Sequence, residues 1–342
     1  MIKLKVDENF KKRYLSYLSS DIFKNQNKIS KTDYWEFFSK KFKYTIKGKI
    51  LKIEGDSGFY YSEKNIFLSI KRIIKKIFDF FNPNKIRFLS YKKAFNKALL
   101  NKNVSKKKMF FNIEDCVAKN FKEIKKIYPF RNFYLDEHVI RSYYYLNIIN
   151  NYCKISNINS VMEIGPGSCN LIALLKKHFN IKNFILIDLP ETLSSTIPII
   201  DYLFPKSNIL FPHENSNKID KSIIKKYDFI FLTPNQVNYL DENLIDLSIN
   251  TDSFQEMNLD QVNIYLDLIQ KVSNKNAYFF TKNRVEKTPF GSHKNNISIN
   301  IKSTKFLDYK FHNNNIKFFE ICNFSLDVQK HPMFIRLEEI LK

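Results

Sequence analysis

Glu163, Gly165, Gly167 and Asp188 have the types and the spacing to hold a charged ligand at the end of a sheet. The first three belong to the stretch VMEIGPGSCN, Val161–Asn170. Its apolar start predicts a buried strand over Ser160–Ile164, then a turn at Gly165-Pro166-Gly167, then a helix over Leu171–Phe179. A second apolar run, Phe184–Ile187, is closed by Asp188. Strand, glycine turn, helix, strand and acid in that order make the first half of a nucleotide-binding α/β sheet. A carboxylate at the tip of the second strand can accept from both hydroxyls of a ribose, and a glycine turn lets a ligand approach bare backbone.

The details select among ligands. A dinucleotide fingerprint reads G-x-G-x-x-G/A, with the third small residue allowing close helix–strand packing. Here that position is Asn170. Glu163 precedes the first glycine by two residues, where a carboxylate would repel a pyrophosphate but attract a positive ligand. The ammonium and sulfonium of S-adenosylmethionine meet that requirement. NAD and a plain turn in a ligand-free domain are the alternatives.

The same logic extends to the other strand ends, because ligands of such sheets sit at the carboxyl edge near the reversal of strand order. Asp188-Leu189-Pro190 follows the second strand. Thr233-Pro234-Asn235-Gln236 could frame an adenine, and Asn250-Thr251-Asp252-Ser253 falls where the reactive end should lie. Polar groups packed this densely after an apolar strand need partners. Capping of the helix that follows is the competing explanation for Thr251, Asp252 or Ser253.

The elements that position these residues alternate along the second part of the chain. Asp136–Ile149 reads as a helix leading into the first strand, and Glu191–Phe204, Asp220–Lys226 and Leu259–Val272 as helices between strands. Asn208–Phe211, Phe229–Thr233, Ile245–Thr251 and Ala277–Thr281 read as strands, and Ile316–Ile321 as the start of a closing antiparallel hairpin at the sheet edge. This predicts a parallel α/β sheet covered on both faces. Residues 1–128 read as a separate, mainly helical cap or accessory region and 129–342 as the nucleotide-binding domain. In the first region Asp33–Phe42 has aromatics at helical spacing around Trp35, Gly55-Asp56-Ser57-Gly58 reads as a hairpin turn, and Ser69–Phe81 has an apolar stripe opposite a lysine-rich face.

Bulk properties bound the setting. The 342 residues carry a formal net charge of +22, which invites a nucleic-acid or anionic-membrane partner. The lysines are spread along the chain together with abundant Asn and Ile, so general composition accounts for much of the surplus. Cys116, Cys153, Cys169 and Cys322 are scattered and the histidines show no ligand spacing, predicting a reduced, cytoplasmic protein without a metal site. No run has the length of a membrane span, which leaves peripheral contact at the inner face of a membrane as the membrane option.

EIGPG, DLPETL (Asp188–Leu193), FIFLTP (Phe229–Pro234), INTDSFQEM (Ile249–Met257) and TKNR (Thr281–Arg284) occur in that order. Together they resemble the sugar O-methyltransferase family within the class I S-adenosylmethionine-dependent methyltransferases, over roughly Arg141 to Arg284. The resemblance implies a seven-stranded Rossmann-like, doubly wound, mostly parallel sheet and S-adenosylmethionine as methyl donor. It also implies a saccharide hydroxyl as acceptor, in the synthesis of surface polysaccharides or other glycans. By position Glu163, Gly165, Pro166 and Gly167 match the family's cofactor loop and Asp188 its ribose-binding acid. Leu189, Pro234, Asn235, Asn250 and Thr251 are further cofactor candidates.

Methyl transfer to a hydroxyl quenches the sulfonium charge, so alignment dominates and a general base assists. Glu256 is the first candidate base, Asp252 the second and His293 the third, and Arg284 could grip an anionic group of the acceptor. A nucleic-acid methyltransferase is the enzymatic alternative, although the chain lacks a D/N-P-P-Y/F run and a Pro-Cys pair. A non-catalytic methyltransferase-like binding module is the alternative of another class.

Overall fold

In a computed structural model of the chain, the described residues are 2–25, 31–32, 35–36, 39, 42–54, 137–179, 181–215, 218–287, 304–322 and 333–342. The apolar run Ser160–Ile164 is strand β4, with every residue buried, and Asn183–Ile187 is β5 beside it in parallel register. Side chains alternate between two apolar clusters, one on each face. Val161, Phe184 and Leu186 join the first cluster, and Met162, Ile164, Ile185 and Ile187 the second. Burial on both faces is why these strands read as continuous apolar runs.

Three further parallel strands follow in the chain. They are β6 (Ile209–Leu210), β7 (Phe229–Leu232) and β8 (Ile245–Thr251). Strand β9 (Ser273–Arg284) pairs parallel with β8, β10 (Glu286–Lys287) and β11 (Thr304–Lys305) form a separate antiparallel pair, and β12 (Asn315–Cys322) and β13 (Met333–Glu339) form an antiparallel hairpin docked on β9. The sheet order is β12-β13-β9-β8-β4-β5-β7-β6. The sheet is Rossmann-like and doubly wound, as expected, with eight strands rather than seven because the two-residue β6 lies beyond β7. From β5 the chain builds outward on one side of β4 and then returns to β8 on the other. The reversal therefore falls between β4 and β8, and the crevice it opens is at their carboxyl ends.

One face of the sheet carries helices α3 (Glu137–Tyr152), α4 (Asn170–His178) and α5 (Pro190–Leu203), whose Tyr143, Leu171 and Leu193 enter the first cluster. The other carries α6 (Lys221–Lys226) and α7 (Leu259–Val272), through Ile224, Val262, Leu266 and Ile269. Full burial of such side chains contributes roughly 1.5–3 kcal/mol each. Pro190 opens α5 at its first turn, where its missing N–H costs nothing. No helix among the described residues is long and apolar enough to cross a membrane.

The described N-terminal residues include α1 (Glu8–Ser19) and α2 (Asp21–Lys24), and also a three-stranded antiparallel sheet of β1 (Ile2–Lys5), β2 (Lys43–Lys47) and β3 (Ile50–Glu54). The β2–β3 hairpin turns at Gly48, in the left-handed region at φ 57°, upstream of the predicted turn. Gly55–Gly58 and the predicted helix Ser69–Phe81 lie outside the described residues. Phe10, Tyr14, Tyr17, Leu51 and Ile53 share the first apolar cluster with α5. The Tyr14 hydroxyl donates to the Ser194 carbonyl at 2.8 Å, and Tyr17 to that of Pro190 at 3.0 Å.

Candidate functional site

The turn after β4 is built by two left-handed glycines, Gly165 at φ 71° and Gly167 at φ 49°. The physical demand at Gly165 differs from the one read in the sequence. A Cβ there would fall 2.3 Å from Cβ and Oγ of Ser253, so the residue after β8, not an approaching ligand, excludes a side chain. The turn is pinned further by Gly165 N–H to the Ile187 carbonyl at 2.8 Å and by the Thr196 hydroxyl to the Gly167 carbonyl at 2.8 Å.

The two predicted acids converge on this turn. Asp188 accepts the Leu189 N–H at 2.8 Å and the Gly167 N–H at 3.3 Å, joining the tip of β5 to the tip of β4. Burial raises its carboxyl to about 7, against the opposing effect of those two N–H donors. Glu163 is only 1 % exposed. Among the described residues the Thr251 hydroxyl donates to it at 3.4 Å, and its Oε2 atom is buried without a hydrogen-bond partner. Burial pushes it up to about 8, with a smaller contribution from the nearby Asp188. A buried carboxylate oxygen without a donor is costly. A cation or donor brought by a ligand would relieve that cost.

Glu163, Gly165, Pro166, Gly167, Thr251 and Asp252 line one cleft of roughly 100 Å³. Asp252 stands in the left-handed region at φ 65°, uncommon for a residue other than glycine. Its carboxylate pairs with Lys282 at 2.5 Å and with Arg141 at 3.6 Å, and the Lys282 side chain is 2 % exposed. The cleft thus brings Glu163 together with Arg141 and with the carboxylate that Lys282 and Arg141 hold.

Other predicted contacts are placed elsewhere. Asn250 is fully buried, and its amide donates to the Ile164 carbonyl at 3.0 Å and to the Ser253 hydroxyl. Its oxygen accepts from Asn283 at 2.9 Å, so the side chain fastens β8 to its neighbours and does not face the cleft. Leu189 contributes its backbone N–H to Asp188. Pro234 and Asn235 begin a short 3₁₀ turn after β7, next to β5 and not among the cleft residues. Glu256, in a 3₁₀ turn, is likewise not in the lining, and its carbonyl accepts from the Thr32 hydroxyl at 2.9 Å. Arg284 lies at the end of β9, and its backbone N–H binds the Gln255 side chain at 2.8 Å. His293 lies outside the described residues.

Among the lining residues that went unrecognised in the sequence are Arg141, Ser142 and Tyr145, all from α3. Their spacing puts them on one helical face, but a helix sequence does not say which face overlooks a site built downstream.

No family model and no curated protein sequence matches the chain. Solved structures do resemble it in part. A SAM-dependent methyltransferase from Aquifex aeolicus matches at 15% identity, over 57% of this chain and 89% of that one, with a TM-score of 0.34. The N-methyltransferase NodS from Bradyrhizobium japonicum matches at 9% identity, over 60% and 97%, with a TM-score of 0.38. Geranyl diphosphate C-methyltransferase from Streptomyces coelicolor, solved with Mg²⁺, geranyl diphosphate and S-adenosyl-L-homocysteine, matches at 9% identity, over 60% and 82%, with a TM-score of 0.41. Similarity at this level is no evidence of a shared reaction.

Proposed function

We propose that the chain is an S-adenosylmethionine-dependent O-methyltransferase acting on a sugar hydroxyl. The observation that carries the donor assignment is Glu163, buried in the cleft with an unpartnered carboxylate oxygen. An ammonium matches that oxygen in charge and in donor capacity. Asp188 suits the two ribose hydroxyls, and Arg141 in the same lining as Glu163 suits a carboxylate. One zwitterionic amino-acid tail satisfies Glu163 and Arg141 together, which a pyrophosphate does not. The cleft of roughly 100 Å³ is below the ~300 Å³ of an ordinary small-molecule pocket. It accommodates that tail while the nucleoside extends along the strand tips toward Asp188.

When bound, the donor supplies an electrophilic methyl group for displacement by the acceptor oxygen. The protein's own contribution is alignment and handling of the hydroxyl proton. Asp252 is the candidate base that lines the cleft, and we assign it the hydrogen bond to the acceptor hydroxyl. Its pairing with Lys282 and Arg141 fixes its direction. The saccharide acceptor rests on the order of the sequence motifs, with nucleotide sugars, lipid-linked oligosaccharides and polymers as the forms to assay.

Calorimetric titration with S-adenosylmethionine and S-adenosylhomocysteine tests the donor. Micromolar binding that Asp188→Ala abolishes in a folded protein supports it; no heat and no thermal shift with either ligand removes it. Transfer of a labelled methyl group to nucleotide sugars, with total RNA as the competing acceptor, tests the rest.

A further inference from the structure

The N-terminal sheet has an apolar face and a basic one. Leu4, Leu51 and Ile53 are fully buried on the inner face, and Tyr44 and Ile46 pack against the same apolar cluster. The strand order is β1-β3-β2, and the register fixes which residues lie side by side on the outer face. Lys52 on β3 is opposite Lys3 on β1 and Thr45 on β2. Two residues along, Ile50 is flanked by Lys5 and Lys47, and in the other direction Glu54 is opposite Lys43. Five of these eight outward side chains are lysines and one is acidic. Lys52 is half-buried and the other seven are exposed. Lysine and arginine make up 56 of the 342 residues, so five in eight is well above the background of the chain.

The arrangement has an energetic cost. Like charges directly opposite one another on a sheet disfavour the pairing of its strands, and Lys3 and Lys52 are such a pair. Elsewhere Lys218 pairs with Asp241 and Lys317 with Glu339, but among the described residues no ion pair involves any of the five lysines. An anionic partner laid on this face would turn the repulsion into attraction.

We propose that the lysine face of the N-terminal sheet docks the protein on an anionic lipid surface. A polynucleotide is the other polyanion of comparable charge density. Its recognition uses aromatic side chains to stack on bases, Arg to fork onto phosphates, and Asn or Gln to read base edges. The eight outward positions hold none of these residue types. They hold point charges on flexible apolar stems and one exposed apolar side chain, Ile50, set between two lysines. That set fits a plane of headgroups, which requires neither base readout nor fixed spacing. Contact of this kind is peripheral and is screened by salt. It is independent of the donor assignment.

Co-sedimentation of the full chain with phosphatidylcholine vesicles, with and without phosphatidylserine, tests the proposal. Binding is expected only with phosphatidylserine present, and high salt releases it. Neutralising one lysine at an anionic surface weakens binding about fivefold, so Lys3→Gln, Lys5→Gln and Lys47→Gln combined lower it about a hundredfold. The control combines Lys206→Gln, Lys225→Gln and Lys226→Gln, exposed residues outside this sheet with the same change in net charge. It should stay within about fivefold of the unaltered chain. Equal losses in the two triple variants overturn the proposal, because net charge and not this face then governs binding. Failure of the unaltered chain to bind phosphatidylserine vesicles overturns it directly. If the face variant loses retention on immobilised total RNA as steeply as it loses vesicle binding, the face is a general polyanion surface and the lipid assignment fails. Circular dichroism is the folding control. Should the triple face variant not fold, Lys3→Gln alone decides. It removes the like-charge neighbour of Lys52, so it should melt no lower than the unaltered chain while binding vesicles about fivefold less, and undiminished binding overturns the proposal.

Discussion

Ser253 occupies the space that a Cβ on Gly165 would need, 2.3 Å from both Cβ and Oγ of the serine. The close approach packs the loop after β8 onto the turn after β4, and the Ser253 hydroxyl and the Asn250 amide both bond to the Ile164 carbonyl at 3.0 Å. Gly165 also has φ 71°, so an alanine there meets a steric and a backbone penalty together. Gly165→Ala is expected to cost roughly 2–4 kcal/mol of stability by chemical denaturation. Ser253→Gly in the same chain should recover the steric part only. Additive effects of the two substitutions would show that the packing of these loops does not matter.

Glu163 has opposite effects on stability and on binding. Its carboxyl is raised from 4.5 to about 8, so between those values the folded chain holds a proton that the unfolded chain has released. Folding stability therefore falls as pH rises through that window, and Asp188, raised from 3.8 to about 7, acts in the same direction. Donor affinity runs the other way, since ionised carboxylates attract the cation. Glu163→Gln removes the charge at nearly constant shape. Scanning calorimetry at pH 8.5 should show a melting temperature several degrees above that of the unaltered chain, with a flatter pH dependence. The same variant should lose donor affinity by thirtyfold or more, the cost of removing one member of a buried charged pair.

The core of the sheet was legible because strands buried on both faces announce themselves as apolar runs. Ser160–Ile164, Ile245–Thr251 and Leu259–Val272 have the boundaries their sequences predict. The polar stretch Ser273–Asn276 concealed the first residues of β9, which still pairs with β8 at Ser273. β1 was hidden for a similar reason: Ile2–Lys5 alternates apolar and lysine over too few residues to stand out. The acids and glycines of the site were readable from type and spacing. Arg141 and Lys282 were not, because their roles depend on which residues the fold brings opposite them.

Asn250 is a strand-end polar residue whose side chain serves the fold. Its amide contacts Ile164, Ser253 and Asn283 and is fully buried, so removing it leaves several backbone and side-chain groups without partners. Asn250→Ala is expected to destabilise the fold by about 2–4 kcal/mol in urea unfolding, with the loss of donor affinity following from loosened loops. Asn250→Asp should be worse, since it adds a buried charge and removes the donors to Ile164 and Ser253. Full stability in either variant would return Asn250 to the list of ligand contacts.

Asp252 and Glu256 can be separated by kinetics. Asp252 lines the cleft at φ 65° and is held by Lys282 and Arg141, whereas Glu256 is outside the lining, with its carbonyl bonded to Thr32. Replacing Asp252 by Asn keeps the shape and tolerates the left-handed backbone, so the fold should survive. Turnover of the acceptor should drop about 10²–10⁴-fold with donor affinity changed far less, the range expected for a positioned proton acceptor. Glu256→Gln should leave turnover within a few-fold of the unaltered enzyme. If Glu256→Gln abolishes turnover while Asp252→Asn does not, the proton leaves by a route that the lined cleft does not contain, and the assignment passes back to Glu256.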